Sequence, residues 1–353
     1  MNTPTLIGDQ IENPWNALTL VHAAAMLGGA CWFRDSTGQL GREWQAALPG
    51  TGELPALSRE QLAERCPLLV AFDNSPQAAD VYGFRLPKEP AAALVVGNER
   101  RGLTHEIRSS ARYALQIPMV SRQVNCLNVA AAAAVGLYYL SRRDGHKLTL
   151  ANHPHKNRPD LLLAGAGDQV ELGSTIHSAC AFGWERALVE DRSRIWFGCD
   201  RVTRSEGRGA ARRGRNPIRL IPAEPATRYA YQEVAVVTTR HPGIPLPQAR
   251  LAQGPQQVLV IPDESRMDAS REDWQRLGQS VQFVNLDLPA VEFPYHYRLI
   301  ASIALAEAAR QVGQTPRRRE QDRRESRVTY RQELRATPAA QGELVYLEHL
   351  LDY

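Results

Sequence analysis

His22, His177 and the turn carboxylate Glu99 are of residue types that could hold or move a proton at a reacting centre. Histidine titrates near neutrality, so His22 and His177 are candidate general bases. Glu99 sits just past the run Val95, Val96, Gly97, Asn98, which reads as a buried strand ending in a glycine turn. Glycine there lets backbone approach a ligand closely and permits a positive φ. A second short strand ends in Ile117, Pro118 and Met119, an apolar edge. Cys126 and Leu127 then lead into Asn128 and an alanine-rich helix, whose first amides can bind polar ligand atoms. Each residue also has a plainer reading. The histidines can be packed helix residues, Gly97 an ordinary turn glycine, and Glu99 a solvated carboxylate beside Arg100 and Arg101.

These groups need a scaffold, and the surrounding pattern supplies one. Thr5 to Asp9, Ala30 to Phe33, Leu68 to Phe72, Ala92 to Val96 and Leu115 to Ile117 read as strands. Helices are expected over Trp15 to Leu27, Glu60 to Cys66 and Val129 to Ser141. Asn13 and Pro14 give the first of these a cap and a first-turn proline. Strands alternating with helices indicate a parallel sheet covered on both faces. Ser141 to Pro159 is polar and reads as a linker, after which the pattern restarts. Strands are expected at Leu161 to Ala164, Ala187 to Glu190, Val234 to Thr238, Gln257 to Ile261 and Val281 to Asn285, with helices at Gly173 to Phe182 and Tyr295 to Val312. The helix from Asn16 to Gly28 aligns with Glu171 to Gly183, placing His22 on His177; Val95 to Glu99 aligns with Val260 to Glu264. This points to a diverged internal repeat.

The glycine turn, the apolar strand end and the Leu-Asn helix start, in this order and spacing, resemble the cofactor-binding end of the SpoU/TrmH group of SPOUT RNA methyltransferases. The resemblance implies an α/β fold of two SPOUT-like, trefoil-knotted, Rossmann-like parallel-sheet domains forming an intramolecular pseudo-dimer. The implied organisation is a methyltransferase domain over 1–145, a linker over 146–159, a diverged SPOUT-like domain over 160–315 and a tail over 316–353. It implies S-adenosylmethionine as cofactor, held by Val96, Gly97, Asn98, Ile117, Pro118, Met119, Cys126 and Leu127. The apolar strand end would suit the adenine ring. Asn16, Glu99 and Asn128 match the family's site residues, Cys126 stands for its serine, and His22 stands where it carries arginine. In that place His22, or His177 from the other half, would deprotonate a ribose 2′-OH. Pro262 replaces Gly97 in the second half, so one cofactor site per chain is expected.

Charge placement fits a nucleic-acid partner better than the net charge of +4 does. Arg201 to Arg219 holds seven arginines and one acid, with three glycines between them, and is expected to be a flexible cationic loop contacting phosphates through Arg204, Arg208, Arg212, Arg213 and Arg215. Arg100 and Arg101 would guide RNA to the cofactor loop. The tail from Arg317 to Arg327 interleaves acids with arginines and reads as a solvated, internally paired helix. Five scattered cysteines without a Cys-x-x-Cys pair argue against a disulfide framework or zinc site and favour a reducing cytoplasm. No apolar run reaches membrane-spanning length, and the first residues do not form a signal peptide. The expected function is 2′-O-methylation of rRNA or tRNA by a monomer without metal. The alternatives are ring-nitrogen methylation of a base by the same fold, and an inactive RNA-binding or ribosome-assembly factor.

Overall fold

The structure is a computed structural model, and it describes residues 3–87, 91–119, 121, 124–142, 158–212, 214–224 and 228–312. The linker and tail read above lie almost wholly outside the described residues. The chain divides into two compact units: the described residues of the first are 3–118 and 132–142, and those of the second are 119–131 and 158–312. The segment from Met119 to Ala131 therefore groups with the second unit.

The described strands and α-helices between residues 3 and 142 are β1 (Thr5–Asp9), α1 (Pro14–Ala25), β2 (Cys31–Arg34), α2 (Gln39–Ala47), α3 (Arg59–Arg65), β3 (Leu68–Phe72), β4 (Ala79–Asp80), β5 (Ala92–Val96), α4 (His105–Ser110), β6 (Tyr113–Gln116) and α5 (Val129–Ser141). The strands form a wholly parallel sheet in the order β2-β1-β5-β3-β6-β4. Leu6, Ile7, Val70, Leu94 and Val95 are each 0% exposed, as expected of strands covered on both faces. Asn13 caps α1 by accepting from the amides of Trp15 and Asn16, and Pro14 occupies its first turn.

The second unit contributes β7 (Asp160–Ala164), α6 (Gln169–Ala181), β8 (Arg186–Glu190), α7 (Arg201–Ala210), β9 (Arg219–Pro222), β10 (Tyr231–Thr238), β11 (Ile244–Pro245), β12 (Gln257–Pro262), α8 (Arg271–Trp274), β13 (Gly278–Asn285) and α9 (Tyr297–Val312). Its parallel sheet runs β11-β13-β10-β12-β7-β8-β9. Apart from the extra edge strand β9, this is the strand order of the first sheet.

The turns match as well. Gln10 after β1 and Gly165 after β7 both have positive φ, 55° and 82°. Their amides donate to the carbonyls of Arg34 and Glu190, which end β2 and β8. Asp168 caps α6 through the amides of Val170 and Glu171, as Asn13 caps α1. Gly28 and Gly183 end the two helices at φ 75° and 87°.

One expectation is overturned. The arginine-rich stretch does not begin as a flexible loop: residues 201–210 form helix α7. Asp200 caps it, accepting from the amides of Val202 and Thr203. One of its glycines, Gly207, serves packing. A Cβ on Gly173 of α6 would lie 2.3 Å from the Gly207 carbonyl oxygen and 2.9 Å from the Ala210 Cβ, so the two helices approach at glycine distance. The arginines project from the remaining faces, which is why composition alone suggested a loop.

The close approach has a testable cost. Gly173→Ala should destabilise the protein by about 1–3 kcal/mol, the usual cost of overpacking. Gly209→Ala, with nothing within 4 Å of its Cβ position, should be neutral or gain up to about 1 kcal/mol of helix propensity. Urea unfolding of both variants measures the difference.

Candidate functional site

In a parallel sheet, ligands bind beyond the carboxyl ends of the strands. In the first unit that edge is organised by Asp9, the last residue of β1, which is 0% exposed. Asp9 Oδ2 accepts from the Thr104 amide and hydroxyl, both at 2.8 Å, and Oδ1 accepts from Arg34 Nη1 at 3.2 Å. Burial pushes the Asp9 pKa above the ordinary carboxylate value, while the Thr104 hydrogen bonds and the Arg34 charge oppose that rise. Arg34 also reaches Glu106 Oε2 at 2.6 Å. Thr104 in turn caps α4.

These bonds dock the loop after β5 onto the turn after β1. Asn98 and Gly102 exchange amide-to-carbonyl bonds of 2.9 Å, closing a tight loop. Asn98 Oδ1 accepts from the amides of Arg100 and Arg101 at 2.9 and 3.0 Å, and its Nδ2 donates to the Gln10 carbonyl at 2.6 Å. Glu99 is then delivered to α1: Asn16 Nδ2 donates to Glu99 Oε1 at 2.8 Å, and the Glu12 amide to Oε2 at 3.4 Å. Arg101 pairs with Glu12. Asn16 and Glu99, far apart in sequence, thus form one polar pair.

Gly97 differs from its sequence reading. It does not have positive φ; within this loop that conformation falls to Gly102, at 68°. A Cβ on Gly97 would lie 2.2 Å from the Gly102 carbonyl carbon and 2.3 Å from the Leu103 nitrogen. The residue must be glycine because the loop folds back on it. Val96, Phe72 and Leu115 are in register across β5, β3 and β6. Gly97 and Ile117 therefore leave the same sheet edge roughly 9–10 Å apart, two strand spacings. Ile117 is 5% exposed. Between them Asp73, after β3, pairs with Arg108 at 3.1 Å. His22 is half-buried on α1, two turns beyond Trp15 on the same helix face.

Met119, Cys126, Leu127 and Asn128 belong to the second unit. Asn128 Oδ1 accepts from the Ala130 amide at 3.0 Å, so one of the first helix amides is taken internally. His177 on α6 is 3% exposed, and its Nε2 lies 2.7 Å from the Cys126 carbonyl oxygen. A carbonyl only accepts, so Nε2 carries the proton and Nδ1 holds the lone pair. That buried Nδ1 has no hydrogen-bond partner. Burial, and secondarily the Arg212 charge, lower the His177 pKa to about 4, although the Cys126 hydrogen bond acts the other way. Arg212 Nη1 lies 3.5 Å from the Cys126 sulfur.

The second unit fills the equivalent positions with different chemistry. Glu171, aligned with Asn16, accepts from His296 Nδ1 at 3.1 Å and the Arg298 amide at 2.9 Å, and its Oε1 forms an ion pair with Arg298, 3.2 Å from Nε. Burial works against its charge, but these partners prevail and hold its carboxyl below the ordinary range. Glu190, 0% exposed, is met by Arg192 and Arg276 at 2.5 and 2.7 Å. Asp263, aligned with Asn98, makes the same kind of turn, accepting from the Ser265 amide at 3.0 Å. A cleft of about 310 Å³ beyond β10 and β12 is lined by Arg240, Glu264, Leu288, Phe293 and Tyr295, among others.

Arg100, Arg101, Arg204, Arg208, Arg212 and Arg215 are exposed, and Arg213 lies outside the described residues. Arg204 donates to the Cys199 carbonyl at 2.8 Å. Sequence reasoning did not single out Asp9, Arg34 or Thr104. The available signal was a carboxylate at the end of an apolar strand, where burial demands partners. Among the described residues no cluster of His, Cys, Asp and Glu could hold a metal ion, and no helix is long and apolar enough to cross a membrane.

Residues 5–138 match the model of the SpoU rRNA Methylase family. No curated protein matches the chain. Among solved structures, the chain is similar to a putative TrmH-family RNA methyltransferase from Porphyromonas gingivalis, with 25% identity, 40% of this chain and 61% of that one covered, and a TM-score of 0.32. It is also similar to the SpoU methyltransferase AviRb from Streptomyces viridochromogenes, solved with AdoMet, at 25% identity, 40% and 58% coverage and a TM-score of 0.31. A structure described as giving insights into 2-OH methylation of C/U34 on tRNA has 27% identity, 39% and 88% coverage and a TM-score of 0.30. The chain thus spans about three fifths of the length of the first two.

The buried histidine makes stability depend on pH. Its folded pKa of about 4 lies below the ordinary 6.5, so between these values the unfolded chain binds a proton that the folded chain refuses. Stability should fall as pH drops through that window, by up to about 3 kcal/mol from this residue. His177→Gln keeps a donor for the Cys126 carbonyl and cannot titrate. Urea midpoints from pH 7 to 4 should fall less steeply in the variant than in the wild type.

Proposed function

With residues 5–138 forming a SpoU-family domain, we propose that the protein is an S-adenosylmethionine-dependent RNA methyltransferase acting on a ribose 2′-OH of rRNA or tRNA. The observation that carries the reading is the Asn16–Glu99 pair, 2.8 Å apart, held by the docked loop at the strand ends within the matched region. The residues present fit the cofactor. Backbone groups after β5 and β6, with buried Ile117 and the adjoining Pro118, offer polar contacts and an apolar edge, and the nearby Asp73 charge is neutralised by Arg108. Val96, Gly97, Asn98, Ile117 and Pro118 would hold it. When bound, S-adenosylmethionine supplies an electrophilic sulfonium methyl.

The chain's own residues then have defined tasks. His22 would take the proton of the attacking ribose 2′-OH. Asn16 and Glu99 would fix the loop and orient the ribose, since an in-line displacement depends on positioning. His177, bonded to the Cys126 carbonyl, suits a loop anchor better than a base. Histidine in place of the family's arginine also favours a second reading, methylation of a ring nitrogen, which needs less help from a base. The common strand order supports two SPOUT-like units in one chain, with Pro262 and the Glu171–Arg298 pair leaving the second without a cofactor site. A cytoplasmic monomer is part of the same reading.

Calorimetric titration with S-adenosylhomocysteine tests it. We expect about one equivalent bound per chain, lost in Asn128→Ala and in Gly97→Val, with Asn128→Asp, which keeps a helix cap, as the folding control. Two equivalents would overturn the single-site assignment. No binding, with or without RNA, would favour a non-catalytic RNA-binding protein. Nuclease digestion and mass analysis of the methylated nucleoside separates ribose from base products.

A further inference from the structure

Trp15 is 58% exposed, the most exposed of the buried-type aromatic residues noted among the described large hydrophobics. Water-facing indole is costly, and tryptophan normally buries its ring. The residue is also held in place. It sits in the first turn of α1, where its amide donates to Asn13 Oδ1 at 2.9 Å and its carbonyl accepts from the Thr19 hydroxyl at 2.7 Å. The next residue is Asn16, bonded to Glu99. Two positions before it, Asn13 caps the helix, and Glu12 pairs with the exposed Arg101. His22 lies two turns along the same helix face, roughly 10 Å further on.

An exposed indole on a held backbone therefore stands close in the chain to the polar pair and on the helix face that carries a histidine. We propose that Trp15 is a stacking platform for an unpaired RNA base beside the reacting nucleotide, so that the substrate is a single-stranded or looped segment rather than a duplex. This rests on the RNA methyltransferase reading above. The chemistry favours RNA over a protein partner. Bases in unpaired RNA present π-faces that stack on aromatic side chains, while neighbouring arginines hold the backbone. In a duplex those faces are already stacked on each other. The helix cap fixes the backbone that carries the ring, so no backbone ordering is needed on binding.

The test uses the full chain and fluorescein-labelled oligonucleotides: a short mixed-sequence single-stranded RNA and the same sequence as a duplex. Anisotropy titration should show Trp15→Ala weakening the single strand by about tenfold or more, the usual worth of one stacked base. Trp15→Phe should recover most of the loss, and duplex binding should be unchanged. Subtracting the Trp15→Phe emission from wild type should show quenching of one indole by the single strand.

Equal single-strand affinity in wild type and Trp15→Ala would overturn the proposal. So would an equal loss for both RNAs, a change of oligomeric state on substitution, or no RNA binding by wild type. Failure of the underlying reading has a different signature, because wild type would then bind no S-adenosylhomocysteine and transfer no methyl group, whatever its RNA affinity. A wild type that methylates RNA, paired with a Trp15→Ala variant of the same KM and kcat, would sink the stacking role alone.

Discussion

A carboxylate with no solvent exposure has to be satisfied by the protein, and in the first unit that requirement shapes the whole strand edge. Asp9 ends β1 inside the sheet, where burial raises its pKa and every oxygen lone pair must find a donor. Its donors come from Thr104 and Arg34, which lie on different elements. Satisfying Asp9 therefore fixes the loop from Gly97 to Thr104 against the turn from Gln10 to Asn16. Asn98 then reaches the Gln10 carbonyl and Glu99 reaches Asn16. The Asn16–Glu99 pair is a consequence of docking, and the docking satisfies a buried carboxyl group.

The second unit shows what this arrangement can lose. The backbone is kept: Gly165 repeats the positive φ of Gln10 and donates to Glu190 as Gln10 does to Arg34. The side chains are exchanged. Ala164 stands in the register position of Asp9, Glu190 in that of Arg34, and Glu171 in that of Asn16. Each buried acid has found new cations, Arg192 and Arg276 for Glu190, and Arg298 for Glu171. Backbone turns constrain a fold more tightly than the polarity of its ion pairs, provided that no buried charge is left alone. Nothing in such an exchange preserves a reaction, so fold and chemistry can part company.

Much of the fold was legible because strands buried on both faces announce themselves as continuous apolar runs. Leu68–Phe72, Ala92–Val96 and the helix Val129–Ser141 have the bounds read from sequence. Short elements were not legible. β4 has two residues, and α4 follows a Thr cap without an apolar period. α7 was hidden by its glycines, which are usually breakers; Gly207 here allows close packing on α6. In the site, Asn16 and Glu99 were singled out by resemblance, and their contact follows from the structure. Asp9 and Thr104 were missed because their role exists only when two loops meet, which no local pattern encodes. The reason for Gly97 was likewise tertiary: its neighbour is the backbone of its own loop.

The two aligned histidines show how position alone fails to specify a role. His22 and His177 occupy the same place on helices with matching caps and terminal glycines. Yet His177 is buried, its Nε2 proton is committed to a carbonyl, and its pKa is lowered to about 4. At neutral pH such a ring is a poor proton acceptor, because taking a second proton would put a charge in a buried place near Arg212. His22 is half-buried on the helix face that also carries Trp15. A general base has to change its charge during the reaction, so it must sit where both charge states are tolerated. His177, with a buried ring and a committed proton, fails that condition, so the alignment of the two residues does not carry a shared role.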